Sequence, residues 1–193
     1  MSALRPPRPE VFGLAVLLAV SGSCERKTQA PPAATGAPAA AQAKTVTRRV
    51  FYPTGSDLLL DACPANLPST GTPQRDMAEA LRRLLAGPPG NGQFQAFPEN
   101  CGVRSVWLVG SQAVVDLTGP VREGGGSSTE TARVYGVVQT LAANFPEVRT
   151  VRILVDGQEV DTLMGHLDLS RPLVPEPRLL SRSARETFQG NGR

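Results

Sequence analysis

The chain has 193 residues, of which 40% are hydrophobic and 19% are charged, and its formal net charge is +3. Removing the charged residues of the first segment, Arg5, Arg8 and Glu10, leaves 18 basic and 16 acidic residues and a net charge of +2. Because the sequence has no basic stripe interleaved with aromatic residues, its composition argues against nucleic-acid binding.

Residues 1–23 have the pattern of a secretory signal peptide. Arg5 and Arg8 precede an apolar run at 11–20, and small residues follow it. Such a run is too short to cross a bilayer as a helix, which needs about 20 residues. The sequence Ser-Gly-Ser-Cys at 21–24 resembles a bacterial lipobox, with serine where that pattern prefers leucine. The resemblance implies an exported lipoprotein, anchored in a membrane through Cys24 and facing the periplasm or the cell exterior.

Residues 24–46 are predicted to form a lipid-anchored linker rich in alanine and proline. The segment has too little apolar side-chain surface to offset the entropy lost on ordering. A flexible chain of this length spans about 25 Å on average and about 65 Å when fully stretched. The linker would therefore hold a domain clear of the membrane surface.

The chain has three cysteines, and an exported protein rarely leaves one of them unpaired. The odd number therefore supports a separate role for Cys24. With Cys24 as the lipid anchor, Cys63 and Cys101 remain, both in loop-like sequence near prolines. An oxidising compartment favours a disulfide between them, whose loop of about 40 residues would stabilise the fold by around 3 to 4 kcal/mol on the chain-entropy model. Two buried free thiols are the alternative. A metal site is not expected, because the chain has one histidine and no Cys-x-x-Cys spacing.

The first elements of the domain are predicted as a strand at 48–52, a chain segment at 58–60 that returns alongside it after a turn, and a helix. Thr72 is a candidate N-cap, Pro73 fits the first helical position, and glycines and prolines at 87–90 end the helix. Its apolar residues share one face, which we expect to be buried: Met77, Leu81, Leu84 and Leu85.

A β-hairpin is predicted next, from two runs rich in β-branched residues at 103–109 and 113–117. Gly110-Ser111 joins them and suits a type II′ turn. Trp107 belongs either to the buried face of this sheet or to a binding surface. A lone tryptophan in a small domain is more often buried, so we expect a core position.

Three glycines at 124–126 lead into a second helix that opens at Ser127. Glu130 would complete a capping box, in which the two side chains satisfy backbone donors at the helix start. Pro146 ends the helix. A glycine-rich entry to a helix could also bind phosphate, but Glu130 occupies the positive helix end and the sequence has neither a Gly-Lys-Ser/Thr ending nor a Rossmann spacing. A glycine turn is therefore the favoured interpretation.

The last strands are predicted at 151–155 and 158–160, joined by a turn at Asp156-Gly157. The order strand, helix, two strands, helix, two strands indicates an α+β fold, with two helices packed on one face of a small mixed β-sheet. We expect one compact domain over 47–173. Residues 174–193, punctuated by proline and then polar, are predicted to be a disordered tail.

Several segments in a fixed order carry a resemblance to a known family. They are residues 84–88, 113–117, the glycine-serine helix with Val-Val-Gln-Thr-Leu at 137–141, residues 151–157, and His166-Leu167-Asp168. Together they resemble the GerMN (sporulation and spore germination) domain in one copy over about 47–173. The resemblance implies a fold similar to ring-building domains and an extracytoplasmic module without established catalytic activity. It does not imply that the source organism sporulates.

Three functions remain open on this basis. The resemblance favours a non-catalytic interaction or assembly module of the cell envelope, without a cofactor, whose partners are envelope proteins or a second copy of the chain. This function predicts a flat apolar patch or an open sheet edge. A binding module for peptidoglycan or a small ligand instead predicts a pocket with convergent polar groups, near Trp107, Gly124, Gly125, Gly126 and His166.

The third function is a cell-wall hydrolase. As the single histidine, His166 would have to act with a serine, Ser170 or Ser111, and with a carboxylate, Asp168 or Asp116. Paired carboxylates acting on glycans are also conceivable, but nothing in the sequence sets their separation. A histidine between Gly165 and Leu167 is more often structural, so the hydrolase is the least favoured of the three.

Overall fold

The computed structural model describes residues 44–90 and 92–190, and only the backbone of 187–190. The predicted signal peptide, Cys24 and nearly all of the predicted linker lie outside the described residues. Residue 91 and residues 191–193 lie outside them as well.

The domain begins with a long antiparallel hairpin. Strand β1 (Lys44–Thr54) pairs with β2 (Leu59–Ser69) along the full length of both. Both strands are much longer than predicted, because Pro64 and Pro68 give β2 the appearance of a loop in sequence. An edge strand tolerates proline, since one side of its backbone needs no ladder partner.

A second, four-stranded sheet contains β3 (Gly102–Val109), β4 (Gln112–Thr118), β5 (Thr150–Val155) and β6 (Gln158–Glu159), in that spatial order. Strands β4 and β5 are parallel, and the other two pairings are antiparallel. The sheet is therefore mixed. The predicted hairpin at Gly110-Ser111 and the turn at Asp156-Gly157 are confirmed.

Two helices cover this sheet, and both predicted apolar faces are buried. Helix α1 (Pro73–Leu85) packs on β3, and α2 (Ser127–Asn144) packs on β1 and on α1. One apolar cluster joins the two helices with the inner face of the four-stranded sheet. Each fully buried aliphatic side chain in it contributes about 1.5 to 3 kcal/mol. The predicted α+β class is confirmed, with two sheets rather than one.

Helix α2 also closes the outer edge of β1, through residues spaced four apart. The hydroxyl of Thr140 accepts a hydrogen bond from the backbone N–H of Phe51 (3.1 Å). The amide of Asn144 accepts from the N–H of Arg49 (2.9 Å) and donates to its carbonyl (2.7 Å). One turn earlier, a Cβ at Gly136 would stand 3.3 Å from the carbonyl of Phe51. The glycine therefore lets the helix approach the strand.

The predicted disulfide between Cys63 and Cys101 is wrong, because both are free thiols. Cys63 lies within β2, opposite Val50, and is buried in the core. Cys101 lies just before β3 and packs at the margin of the same cluster. Burial raises the pKa of both thiols.

The chain beyond residue 173 is ordered through Gly190, contrary to the predicted disordered tail. A 3-10 turn (Pro177–Leu179) precedes helix α3 (Arg182–Gly190). Leu180 is only 1% exposed and forms a parallel bridge with Leu60, whose carbonyl accepts a hydrogen bond from the N–H of Ser181 (2.8 Å). The apolar surface of Leu180 and Ala184 provides the burial that the polar composition concealed.

Candidate functional site

Glu130 connects the first turn of α2 to the loop after β6. Its side chain is fully buried. Oε1 accepts hydrogen bonds from the Thr162 hydroxyl (2.6 Å) and from the N–H groups of Leu163 (2.9 Å) and Met164 (2.8 Å). Oε2 accepts one from the N–H of His166 (2.9 Å). The predicted capping box is therefore wrong, because the N-cap is Gly126 and the carboxylate is used by a distant loop.

The Glu130 carboxyl remains ionised despite its burial. Burial by itself would raise its pKa, but the hydrogen bond from Thr162 and those from the three backbone N–H groups outweigh burial, and the pKa lies below its ordinary value. A carboxylate that accepts several hydrogen bonds is stabilised in its charged form. The group therefore has a structural use that requires its charge.

The loop at 162–166 brings two parts of the predicted binding surface together, the glycines at 124–126 and His166. The carbonyl of Gly126 accepts a hydrogen bond from the N–H of Glu130 (2.9 Å), and the same glutamate holds the backbone of His166. A Cβ at Gly125 would stand 2.6 Å from Thr129, and its φ of +93° favours glycine. The glycines at 124–126 thus form a turn beside an exposed His166.

The candidate hydrolase residues are used by separate turns. The Ser170 hydroxyl donates to Asp168 (2.6 Å), and the N–H of Ser170 donates to the same carboxylate oxygen (2.9 Å). Asp116 accepts from the N–H of Gly157 (2.9 Å). In the part of the chain that the structure describes, no hydrogen bond links His166 to either serine candidate. Within residues 44–90 and 92–190, no three His, Cys, Asp or Glu residues form a group that could hold a metal ion.

Trp107 lies on the outward face of β3 and is 47% exposed, so the expected core position is wrong. Val106, next to it, is buried, and side chains alternate along a strand. The same alternation exposes Val109 to 65%. Val114 lies opposite Trp107 on β4 and is partly exposed. The alternation of β3 could have indicated this apolar surface from sequence.

The outer edge of β3 has backbone groups that point away from the sheet. A two-residue turn closes the hairpin, so Val109 and Gln112 form a hydrogen-bonded pair, as do Trp107 and Val114 two residues on. The N–H and C=O groups of Val106 and Leu108 consequently point outward. No strand lies beyond β3 among the described residues.

The other long strands have protected edges. Thr140 and Asn144 cover β1, whereas β2 has Pro64 and Pro68 and is bridged by the segment around Leu180. Proline, charge and covering segments are the usual protections of a sheet edge. Residues 105–109 contain neither charge nor proline. The open β3 surface, defined as the outer edge of 105–109 with Trp107 and Val109, is therefore a candidate interaction site.

A shallow groove borders this edge on the side of α1. Thr70, Gln74, Arg75, Ala78, Glu79 and Arg82 line one wall, and Ser105 and Val106 line the other. On β3 the groove reaches only Ser105 and Val106. It is not lined by Trp107, by the glycines at 124–126 or by His166, which were expected to converge on a pocket.

Comparison with known proteins gives a family and a fold. The family model described as sporulation and spore germination, named Germane, matches residues 49–161. No curated protein matches the chain.

Three solved structures share the fold at low sequence identity. A Clostridium perfringens protein provisionally described as a lipoprotein is 20% identical over 72% of this chain and 94% of its own, with a TM-score of 0.51. The first GerMN domain of the Bacillus subtilis sporulation protein GerM is 22% identical over 72% of this chain and 98% of its own, with a TM-score of 0.53. The tandem GerMN domains of GerM match at 22% identity and a TM-score of 0.54, over 68% of this chain and 46% of theirs.

Proposed function

The chain belongs to the sporulation and spore germination (Germane) family, and on that premise we propose that it is an exported, lipid-anchored, non-catalytic interaction module of the cell envelope. The open β3 surface is the observation that carries the proposal. Trp107 and Val109 are exposed beside an unprotected strand edge. An interaction module needs such a surface, because exposed apolar area and unpaired strand backbone are both stabilised by a partner.

The shape of this surface favours a macromolecular partner over a small ligand. A small-ligand site is typically concave and surrounds its ligand on most sides. Trp107 and Val109 instead project from one face of a strand. The surface thus has the form expected of a protein interaction, and peptidoglycan binding is the less favoured alternative.

The polar groups that could suggest catalysis have structural partners. Glu130 holds the loop at 162–166, Asp168 holds the turn at Ser170, and Asp116 holds the turn at Gly157. A catalytic group needs a partner positioned for proton transfer or nucleophilic attack. The observed hydrogen bonds support a non-catalytic role.

Export and anchoring follow from the signal pattern and from the lipobox resemblance at Cys24. The Clostridium perfringens neighbour, provisionally described as a lipoprotein, is consistent with an envelope location. Mass spectrometry of the mature N-terminus tests the anchor. A diacylated or triacylated Cys24 is expected, whereas an unmodified Cys24 would remove the anchor from the proposal.

Photo-crosslinking in intact cells tests the interaction. A photoreactive residue at Val109 is expected to form adducts with an envelope protein or with a second copy of the chain. The matched control carries the same residue at Phe94, which is 50% exposed outside the open β3 surface. Adducts with peptidoglycan alone, or equal adducts at both positions, would contradict the proposal.

A further inference from the structure

We propose that β3 pairs with β3 of a second copy of this chain, antiparallel and about a two-fold axis at Trp107. The inference rests on the proposed function, because it names the partner of the open β3 surface. It joins two four-stranded sheets into one continuous sheet.

The outward backbone groups match under this symmetry. A two-fold axis at Trp107 places Val106 of one copy opposite Leu108 of the other, and the reverse pair follows by symmetry. These are the two residues whose N–H and C=O groups point away from β4. Residues that face each other in a hydrogen-bonded antiparallel pair exchange two bonds. Both pairs can therefore complete their hydrogen bonds without a shift in register.

The outward side chains match as well. The two Trp107 residues face each other at the axis, in a non-hydrogen-bonded pair, where antiparallel strands bring Cα atoms to about 4.5 Å and side chains closest together. Ser105 of each copy lies opposite Val109 of the other. Aromatic cross-strand pairs stabilise sheets. The pairing therefore gives both exposed apolar side chains of β3, Trp107 and Val109, a cross-strand neighbour.

The segment that would pair carries no charge of its own. Residues 105–109 are uncharged, so like charges do not meet along the paired segment. Arg104 falls opposite Gly110 of the other copy, which puts the two arginines at opposite ends of the interface. Each Arg104 is also held within its own copy, 3.1 Å from Asp156 and 3.6 Å from Asp116. A second copy of the same uncharged strand therefore brings no like charges together within residues 105–109.

The linker of the same chain is a poorer occupant of this edge. It carries prolines at 31, 32 and 38, each without the N–H that a strand partner must donate. A second copy offers five consecutive residues with all of their donors. A second copy is therefore the better occupant of this edge.

Cysteine crosslinking of the full chain in cells tests the geometry. Trp107→Cys places two thiols at the axis, at a Cα separation that a disulfide can bridge. After mild oxidation we expect Trp107→Cys to run as a covalent dimer on a non-reducing gel, at several-fold the yield of the matched control Phe94→Cys. Equal yields would overturn the inference.

A charge exchange at the same position gives a second test that does not need a disulfide. Trp107→Lys and Trp107→Glu each place like charges at the axis, so sedimentation of either purified full chain should show at least tenfold weaker self-association. Mixing the two variants should restore it, because opposite charges then meet. Since the side chain is half-exposed, both variants are expected to keep the circular dichroism of the parent.

The outcomes separate the inference from the proposed function. A parent chain that is monomeric at every concentration, with Val109 adducts only to another envelope protein, overturns self-pairing and leaves the interaction module intact. Failure of the mixture to restore association also overturns self-pairing. The loss of all adducts at Val109 overturns both.

Discussion

The N–H of His166 donates a hydrogen bond to Glu130 Oε2 at 2.9 Å and thereby ties the single histidine of the chain to the first turn of α2. The bond uses the backbone of His166, so its ring remains available at an exposed position. The relationship makes the loop at 162–166 part of the folded domain and depends on one buried carboxylate.

Glu130→Ala should destabilise the domain strongly, because the four donors at 162–166 lose their shared acceptor and the N–H of Leu163 among them is buried. Each such donor costs about 1 to 3 kcal/mol, so we expect a loss of at least about 3 kcal/mol in the free energy of unfolding, measured by urea denaturation. Glu130→Gln keeps the shape and should lose less. The matched control is Glu147→Ala at an exposed position, expected to change stability by less than about 0.5 kcal/mol. Equal effects at the two glutamates would contradict the structural role.

Stability should fall at acid pH, and Glu130 should contribute to the fall. Its pKa in the fold lies below the ordinary value of 4.5, so its stabilisation is present above pH 4.5 and is lost as the pH falls through the lower value in the fold. Burial by itself would raise the pKa of Asp76, but hydrogen bonds from Thr70 and Ser69 and the charge of Arg48 outweigh it, so this pKa also lies below its ordinary value of 3.8. The stabilisation from Asp76 is likewise present above pH 3.8 and is lost as the pH falls further. Urea midpoints between pH 7 and pH 3 check this. If Glu130→Gln showed the same acid loss as the parent, the assignment to Glu130 would fail.

The hydroxyl of Thr140 should matter for the edge of β1. Thr140→Val conserves shape but leaves the N–H of Phe51 without an acceptor, which should cost about 1 to 3 kcal/mol. Thr131→Val in the same helix is the control, because its hydroxyl donates only to the carbonyl of Ser127 one turn away. Thermal unfolding of both variants compares them. A smaller effect at Thr140 than at Thr131 would argue against edge protection by α2.

Removing the Leu180 side chain should detach the C-terminal segment. Leu180→Ala creates a cavity beside Phe51 and Leu60 and should cost about 2 to 5 kcal/mol. Val174→Ala, at a position 59% exposed, is the control and should be close to neutral. Hydrogen exchange at residues 177–190 should rise in the first variant alone. Unchanged protection would mean that the segment does not depend on this contact.

The two thiols should be free in the mature protein, contrary to the expectation from export. Cys63 is buried in the core and should react with a thiol reagent only after unfolding, whereas the partly exposed Cys101 should react in the native state. Mass spectrometry after alkylation under native and denaturing conditions counts the reactive groups. Reducing agent should leave the melting temperature unchanged. A mass two hydrogens lower, with no native reactivity, would indicate a disulfide instead.

Local sequence was sufficient to predict the elements that are marked by helix-start residues, apolar periodicity or turn residues. Pro73 and the spacing of Met77, Leu81 and Leu84 predicted α1, and the Gly110-Ser111 turn predicted the hairpin of β3 and β4. Prolines are misleading at β2 and in the last segment, where Pro64 and Pro177 indicate loops from local sequence but lie in a strand and at the start of a 3-10 turn. Proline removes one backbone donor, and that loss matters only where the fold needs the donor. Whether it does depends on the neighbouring strand.

The sequence by itself determined the order and type of the main elements and the family to which they belong, because apolar periodicity and turn residues act over a few neighbouring positions. Only the tertiary structure decided what the isolated polar and aromatic residues do. Glu130 accepts hydrogen bonds from donors more than 30 residues away, the side chain of Cys63 packs in the core, and that of Trp107 is exposed at an open strand edge. The burial and the hydrogen-bond partners of such residues depend on tertiary contacts between segments that are distant in sequence. Local sequence contains no signal for those contacts.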